Sequence, residues 1–276
     1  DNHGACIAAT DAKDEVDFQH VISELGVQVA PQYSDLPNIK NQNNIFGTTP
    51  YPSSDAILFH NEASHMNAFP QYIFFYCQKA AEEGGSTPLS DGKYAFSLLP
   101  EDIQIALKNK GLRYFRRFIP NLDVSWQSFF GCTSIEEVEK ICHANQMNYA
   151  HYSNDILETS YTTGGLYSLD DATPAMFHQI ALFHPAFLDE DVKDYFESSI
   201  GLLPRMVTFS DGSEIPDEWA RAIHSAQIEA SQAFKWQSGY IVGVDNMRMA
   251  HARAPFKGER THYVMLSKLI EKNKHV

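Results

Sequence analysis

Phe59-His60-Asn61-Glu62 places an imidazole and a carboxylate two residues apart, and on extended backbone residues spaced by two project to the same side. One metal ion can therefore take both. A second imidazole, His251, stands within Asp245-Asn246-Met247-Arg248-Met249-Ala250-His251-Ala252-Arg253. Two histidines and one carboxylate make the facial triad that holds non-haem iron(II) and leaves three coordination positions open. A 2-oxo acid can chelate two of those positions, and dioxygen can take the third beside a substrate. Spacing alone says less than this, because a chain with 12 His and 35 Asp plus Glu produces His-x-Glu pairs by chance. The same ligands with open positions could also hold zinc and activate water for hydrolysis. They could equally be the vestige of a site in a non-catalytic jelly-roll binding protein. Against the hydrolase, neither HExxH nor an adjacent general base accompanies the three residues.

Strands have to bring His60 and His251 together. Around Tyr72-Ile73-Phe74-Phe75-Tyr76-Cys77, β-branched and aromatic residues run without helical period, which predicts a buried strand leading into a loop from Gly84 to Asp91. Leu112 to Ile119, Tyr240 to Val244, Met247 to His251 and His262 to Leu269 also read as strands. Helices are predicted between them. Phe18, Val21, Ile22 and Leu25 recur at i, i+3, i+4 and i+7 ahead of Gly26, one face of an amphipathic helix over 14–25. Pro100 opens another, with Ile103, Ala106 and Leu107 on one face, Lys108 and Lys110 in the last turn, and Gly111 beyond. Ser134 and Glu137 form a capping box ahead of Val138, Ile141 and Cys142. Trp219, Ile223, Ala230 and Phe234 mark a long helix after Pro216. The expected fold is α+β and mostly β: a double-stranded β-helix, or jelly roll, with surrounding helices. No internal repeat or low-complexity linker interrupts it, so residues 1–276 read as a single domain.

Bulk properties narrow the function. Of 276 residues, 43% are apolar and 20% charged, the balance of a chain with a packed core. Lys plus Arg number 21 against 35 acidic residues, for a net charge of −14. That argues against nucleic acid or an anionic membrane as the main partner, and means that any bound anion needs a local arginine pocket. No apolar run is long enough to span a bilayer and no basic-then-apolar leader opens the chain, which predicts a cytoplasmic protein. Cys6, Cys77, Cys132 and Cys142 show no metal-ligand spacing and read as reduced thiols. The chain opens at Asp1, and His3 to Ala9 reads as an element already under way, so further residues are expected upstream.

The motifs follow one another in a definite order. Phe59-His60-Asn61-Glu62-Ala63-Ser64 precedes Pro70, Ile73 to Cys77, and Gly84-Gly85-Ser86-Thr87-Pro88-Leu89-Ser90-Asp91. Ser125-Trp126-Gln127, Ser210-Asp211-Gly212-Ser213 ahead of Ile215, and Trp236-Gln237-Ser238-Gly239 ahead of Asp245-Asn246 come next. His251-Ala252-Arg253-Ala254-Pro255-Phe256-Lys257-Gly258-Glu259-Arg260 completes the series. In this order the text resembles the taurine dioxygenase (TauD/TfdA) family, especially its SyrP-like branch, nearly from end to end. The resemblance implies an iron(II)- and 2-oxoglutarate-dependent dioxygenase with His60, Glu62 and His251 as iron ligands, consuming O2. It also places Thr87 and Arg260 on the 2-oxoglutarate carboxylates. A guanidinium suits that role, since it forks onto a carboxylate and stays charged when buried.

Glu62 stands where many relatives carry Asp. A carboxylate there argues against the halogenating relatives, which leave that coordination position to halide, and for hydroxylation or a related C–H oxidation. Two departures from the family pattern, Gly239-Tyr240 and Ala252, bear on the pocket near His251. SyrP-like relatives oxidise amino-acid-derived units in natural-product pathways, some of them on carrier proteins. A small amino-acid-derived substrate is therefore implied, with the acidic surface favouring a free molecule over an acidic carrier. The oligomeric state is not legible.

Weaker candidates surround the triad. His65 and Asn67 lie just beyond the iron strand and either face substrate or belong to a polar loop. His178, in Phe177-His178-Gln179 on an expected strand, either lines the pocket or is a satisfied core histidine. Arg113, Arg116 and Arg117 either grip an acidic substrate or lie on a solvated face, with alternation favouring a split. Arg253 either helps hold co-substrate or substrate, or pairs with Asp245. Phe74, Phe75 and Tyr76 read as core.

Overall fold

The computed structural model describes residues 4–30, 44–48, 51–122, 124–152, 155–168 and 173–271. The first third carries β1 (Ala5–Ala9), α1 (Glu15–Glu24), β2 (Phe46–Gly47), β3 (Ile57–His60), β4 (Ala68–Pro70), β5 (Tyr72–Lys79), β6 (Glu83–Gly84) and β7 (Leu89–Asp91). Helices α2 (Gly92–Ser97) and α3 (Glu101–Lys110) follow, then β8 (Leu112–Phe118), α4 (Trp126–Phe130), α5 (Ile135–Ala144), β9 (Asn148–His151) and β10 (Leu157–Thr163). The short ribbon β11 (Leu166–Tyr167) and β12 (Ala175–Met176) leads to α6 (Ile180–Phe183), α7 (Glu190–Ser199), β13 (Arg205–Phe209) and α8 (Asp217–Glu229). The chain closes with β14 (Ser231–Gln232), β15 (Tyr240–Asp245), β16 (Met249–Arg253), β17 (Phe256–Lys257), β18 (Thr261–Leu266) and β19 (Leu269–Glu271). Among the described residues, no helix is long and apolar enough to cross a membrane.

Two antiparallel sheets face each other as in a double-stranded β-helix. The larger runs β1-β15-β5-β18-β2 and the smaller β14-β7-β16-β3. Alternation along β5 explains how they pack. Phe74 and Tyr76 face outward to Phe18 and Ile22 of α1, while Cys77 turns inward with Val242 and Val244 to meet Leu89 and Met249 of the smaller sheet. Helix α1 begins where the Asp14 side chain accepts the N–H groups of Val16 and Asp17, an N-cap of the usual chemistry. Leu25 departs from the expected apolar face: it caps the helix and lies exposed, because the helix ends one residue earlier. The capping box of Ser134 and Glu137 forms as its spacing predicts.

Two other expectations need correction. The stretch Gly84 to Asp91 is not a plain loop, since β6 pairs with β17 and β7 with both β16 and β14. The last long helix stops at Glu229 instead of reaching Phe234. Residues Ser231 and Gln232 pair with Ser90 and Leu89, and Phe234 packs on Trp236 with ring centroids 4.7 Å apart. Strand pairing therefore overrides helical periodicity at this point.

A third sheet, β13-β8-β10-β9, stands beside the jelly roll. One face carries Leu112, Tyr114, Val207 and Phe209 into the main apolar cluster with α3 and α8. The opposite face carries Arg113, Phe115 and Arg117. Arg117 and Glu158, directly opposed across β8 and β10, form an ion pair at 2.6 Å with side chains only 7% and 15% exposed. Arg117 also donates from Nη1 to the Leu203 carbonyl at 2.7 Å.

His178 does not lie on a strand. β12 ends at Met176 and α6 starts at Ile180, because the backbone of His178 bonds to Asn61 and not to a sheet neighbour. Its N–H donates to Asn61 Oδ1 (3.2 Å) and its carbonyl accepts the Asn61 N–H (3.1 Å). The ring is fully buried, with Nδ1 accepting the Ile180 N–H at 3.4 Å. Burial first, and His224 second, push its pKa down to about 4.

Two stability predictions follow from these buried groups. Arg117→Met strands the Glu158 carboxylate and should cost about 3–5 kcal/mol in urea unfolding, while Arg117→Met with Glu158→Leu should recover most of that loss. For His178, the unfolded ring takes up a proton below its ordinary value near 6.5, and the folded ring does so only near 4. Stability is therefore full above about 6.5 and falls as pH drops towards 4, by on the order of 3 kcal/mol. In metal-free protein, the unfolding midpoint of His178→Gln should fall less steeply across that window; an unchanged slope would assign the acid sensitivity to other groups.

Candidate metal and co-substrate centre

Strand β16 runs between β7 and β3, and its register sets His251 opposite His60. Directly opposed residues of an antiparallel pair share a face, and the two imidazole centroids are 4.2 Å apart. The pairing shifts register between His251 and Arg253, the kind of irregularity that re-aims side chains beside functional sites. Glu62 arrives by another route than two-residue spacing on a strand implies. β3 ends at His60, and Glu62 sits in the turn beyond it.

That turn is held by buried amides. The Glu62 N–H donates to Asn246 Oδ1 at 2.7 Å, and Asn246 Nδ2 donates to the carbonyls of Glu62 (3.0 Å) and Pro70 (2.9 Å). Asn61 Nδ2 donates to the Asn246 carbonyl at 2.8 Å, and Gln179 Nε2 to the Asn61 carbonyl at 3.0 Å. The outcome is a cluster in which one ligand atom each from His60, Glu62 and His251 lies within 4.8 Å of the others.

The electrostatics suit a divalent ion. His60 Nδ1–H donates to the Leu58 carbonyl at 2.8 Å, which leaves Nε2 as the free lone pair. Burial pushes His60 down to about 4 against that bond, with the positive charge of Arg205 adding. His251 is pushed well below the ordinary histidine value, by burial first and His60 second. Both rings are thus neutral, the form that ligates metal. His251 Nδ1 is buried without a hydrogen-bond partner among the described residues, and two imidazoles with one carboxylate are the donor set that iron(II) takes. The residues fit the ion.

A cationic pocket adjoins the cluster. β6 and β17 pair so closely that a Cβ on Gly84, at φ 72°, would lie 2.2 Å from the Pro255 carbonyl oxygen; glycine is what permits this approach. Chain 84–88 then runs along 252–257, through bonds from Gly85 N–H to the Pro255 carbonyl and from Ala252 N–H to the Pro88 carbonyl. Thr87 is buried there, and its Oγ1 accepts Trp236 Nε1–H at 3.0 Å, so the hydroxyl proton remains available to an anion. Arg260 lies with its guanidinium 5.5 Å from the Phe256 ring centroid. Its Nε is buried without a hydrogen-bond partner among the described residues. Burial first, then Arg253, push Arg260 down to about 10, so it stays charged at neutral pH. A half-buried cation with no counter-ion among the described residues carries a desolvation cost, and a dicarboxylate would offset it. His262 is driven far down, by burial first and Arg260 second, so it adds no charge.

The other candidates separate on inspection. Arg253 does not pair with Asp245. Its Nη groups donate to the carbonyls of Tyr51 (3.2 Å), Pro52 (2.6 Å) and Asp55 (2.7 Å), while Asp245 accepts the Met247 N–H. Arg253 therefore fastens 51–55 beside the site. His65 lines a cavity of about 240 Å³ with Tyr114, Arg116, Phe129, Tyr161 and Phe183, its ring 5.2 Å from that of Phe183. Asn67 accepts the Tyr161 hydroxyl at 3.2 Å and so steadies one wall. His178 sits behind the turn of Asn61, as described above. Arg113 faces away from the cavity with Arg117, donating to Ser160 Oγ at 3.1 Å, whereas Arg116 faces in. The expected split along the strand is present, with the substrate candidate on the other side of it.

Sequence reasoning missed Asn61, Gln179 and Asn246 as positioning groups, and Arg205 and Trp236 as neighbours of the site. Asn246 and Trp236 stood in quoted motifs without a role. Arg205 opens a stretch rich in β-branched and aromatic residues, Arg205-Met206-Val207-Thr208-Phe209, whose strand signal was passed over.

Comparison with known proteins agrees with this geometry. The family model for taurine catabolism dioxygenase TauD, TfdA family, matches residues 4–266. The dapdiamide synthesis protein DdaC of Enterobacter agglomerans is 35% identical over 82% of this chain and 70% of its own length. A clavaminate synthase-like protein of Arabidopsis thaliana is 24% identical over 91% of this chain and 77% of its own. In fold, the chain is similar to asparagine oxygenase solved with Fe(II), (2S,3S)-3-hydroxyasparagine and succinate, at a TM-score of 0.57 and 12% identity, covering 96% of this chain and 74% of that one. A match across nearly every residue, joined to the identity with DdaC, shows that the chain belongs to the TauD/TfdA family and is a dioxygenase dependent on iron(II), 2-oxoglutarate and O2.

Proposed function

We propose that this dioxygenase hydroxylates a C–H bond of a small amino-acid-derived molecule in secondary metabolism, with His60, Glu62 and His251 holding iron and Thr87 and Arg260 holding 2-oxoglutarate. The observation that carries the site assignment is the His60, Glu62 and His251 cluster, with ligand atoms within 4.8 Å, together with the half-buried Arg260, whose Nε has no hydrogen-bond partner among the described residues. The substrate class is supported by relatives. One is named for dapdiamide synthesis, and the asparagine oxygenase was solved with a hydroxylated amino acid.

When bound, iron(II) and 2-oxoglutarate supply the activation of O2, with one oxygen atom passing to the substrate, the other to succinate, and CO2 released. The chain's own residues set the conditions. Glu62 would add a negative charge to the ligand set and would take the position that a halide needs, which favours hydroxylation over halogenation. Arg260 and Thr87 would hold the carboxylates of 2-oxoglutarate, the guanidinium as a charged fork and the hydroxyl as a proton donor. Phe183, Phe129 and Tyr114 wall the cavity that His65 lines, three residues beyond Glu62, and would limit water around a substrate held there. The net charge of −14 slows the approach of an acidic carrier protein, so the substrate is taken as a free small molecule. Four cysteines outside any disulfide suit the reducing cytosol.

The test is anaerobic addition of iron(II) and 2-oxoglutarate, which should give the weak visible charge-transfer band of a chelated 2-oxo acid, followed by succinate release on admitting O2. Binding of zinc alone, or iron binding with neither band nor succinate, would leave a hydrolase or a vestigial site. His60→Ala and His251→Ala should each abolish iron binding. Arg260→Ala should lose about 2–5 kcal/mol of co-substrate binding, seen as a roughly 30-fold or larger rise in KM for 2-oxoglutarate. Asn246→Ala should weaken iron binding roughly 10–100-fold, the KM for 2-oxoglutarate at saturating iron moving little; equal iron affinity would show that the turn holds Glu62 without its clamp.

A further inference from the structure

Strand β18 shifts register against β5 between Thr261 and His262, and the shift sets His262 opposite Cys77. Directly opposed residues share a face. Cys77 faces the interior between the two jelly-roll sheets, among Leu89, Val242, Val244 and Trp236, so His262 puts an imidazole on an apolar inner face. Its ring lies edge to face with that of Trp236, centroids 4.7 Å apart.

His262 is only 4% exposed, and neither Nδ1 nor Nε2 has a hydrogen-bond partner among the described residues. Burial first and the charge of Arg260 second keep the ring neutral, so one nitrogen carries a proton and the other a lone pair. Leaving both unmet in the interior is costly. A leucine or phenylalanine would fill the same space without that cost, so packing alone does not account for a histidine here. A ligand that accepts the ring proton does. The neighbours say which ligand. His262 is linked on one side to Arg260, whose charge it feels, and on the other to Trp236, which donates Nε1–H to Thr87 Oγ1 at 3.0 Å. A neutral donor beside a guanidinium adds to the binding of an anion without the repulsion that a second cation would bring.

Resting on the assignment of Thr87 and Arg260 above, we propose that His262 is a further contact of 2-oxoglutarate, donating a ring N–H to the carboxylate that does not chelate the metal. A carboxylate offers about four lone-pair sites, so a guanidinium fork and a hydroxyl do not exhaust it. The contact accounts for an unpartnered histidine in the core. It also makes His262 a specificity determinant, one that favours a dicarboxylate over a 2-oxo acid with an apolar tail.

The experiment titrates 2-oxoglutarate, and separately 2-oxopentanoate, which lacks the second carboxylate, into anaerobic iron(II)-loaded protein. The visible charge-transfer band reads binding without turnover. His262→Leu should weaken 2-oxoglutarate tenfold or more and leave 2-oxopentanoate unchanged, while His262→Gln, which keeps an N–H, should retain part of the affinity. Unchanged affinity for 2-oxoglutarate in His262→Leu overturns the contact, as does an equal loss for both acids, the mark of a packing residue. Should the variants fail to fold, zinc-loaded unmodified protein with isotope-labelled histidine rings decides by NMR: 2-oxoglutarate should shift a ring N–H signal that 2-oxopentanoate leaves in place, and identical spectra with the two acids overturn the contact. Arg260→Ala tests the underlying assignment separately. If it too leaves 2-oxoglutarate affinity unchanged, the co-substrate pocket falls with the contact; if only His262→Leu does so, the contact alone falls.

Discussion

The pairing of two buried asparagines is the constraint on which this site rests. Asn61 and Asn246 are both fully buried, where an unsatisfied amide would cost about 1–3 kcal/mol. Neither is left so. Asn246 uses its side chain three times, on the N–H and carbonyl of Glu62 and on the carbonyl of Pro70. Asn61 uses its own on the Asn246 carbonyl and the His178 N–H. These bonds tie the turn after β3, which carries Glu62, to the turn that leads into β16, the strand of His251. A satisfied buried network specifies one arrangement, and here that arrangement sets where a carboxylate outside any strand can point.

Ladder register and amide clamp divide the labour. His60 and His251 need only the β3–β16 pairing, which opposes them directly. Glu62 lies beyond the ladder and owes its place to Asn246. The same division appears at the cationic pocket: β6 and β17 pair as strands, whereas Thr87 is fixed from the side by Trp236. Backbone pairing positions the elements, and side-chain bonds from distant segments aim the groups between them.

This division explains what the sequence disclosed. Residue types at the centre were legible, because imidazole, carboxylate and guanidinium have few chemical uses and their motifs kept family order. Helices α3 and α5 were legible from Pro100, Gly111 and the Ser134–Glu137 box, which are local signals. What stayed hidden depends on register. The two-residue spacing of His60 and Glu62 pointed to a shared strand face, and the turn beyond His60 reached the same cluster by long-range bonds. Arg113 and Arg116 could be split by alternation, but only the pairing of β8 with β13 and β10 tells which of them faces in. Arg205 lies 89 positions from Arg116 along the chain, so no local pattern could have joined them.

The structure keeps Arg260 apart from Arg116 and Arg205. Arg260 is surrounded by Phe256, Cys77, Arg253 and His262, whereas Arg116 and Arg205 rest against Phe118, Phe129 and Phe183. No residue is common to the two sets. The first pocket is framed by the β6–β17 ribbon and the second by the third sheet with α4 and α6, so each is built from segments the other does not use.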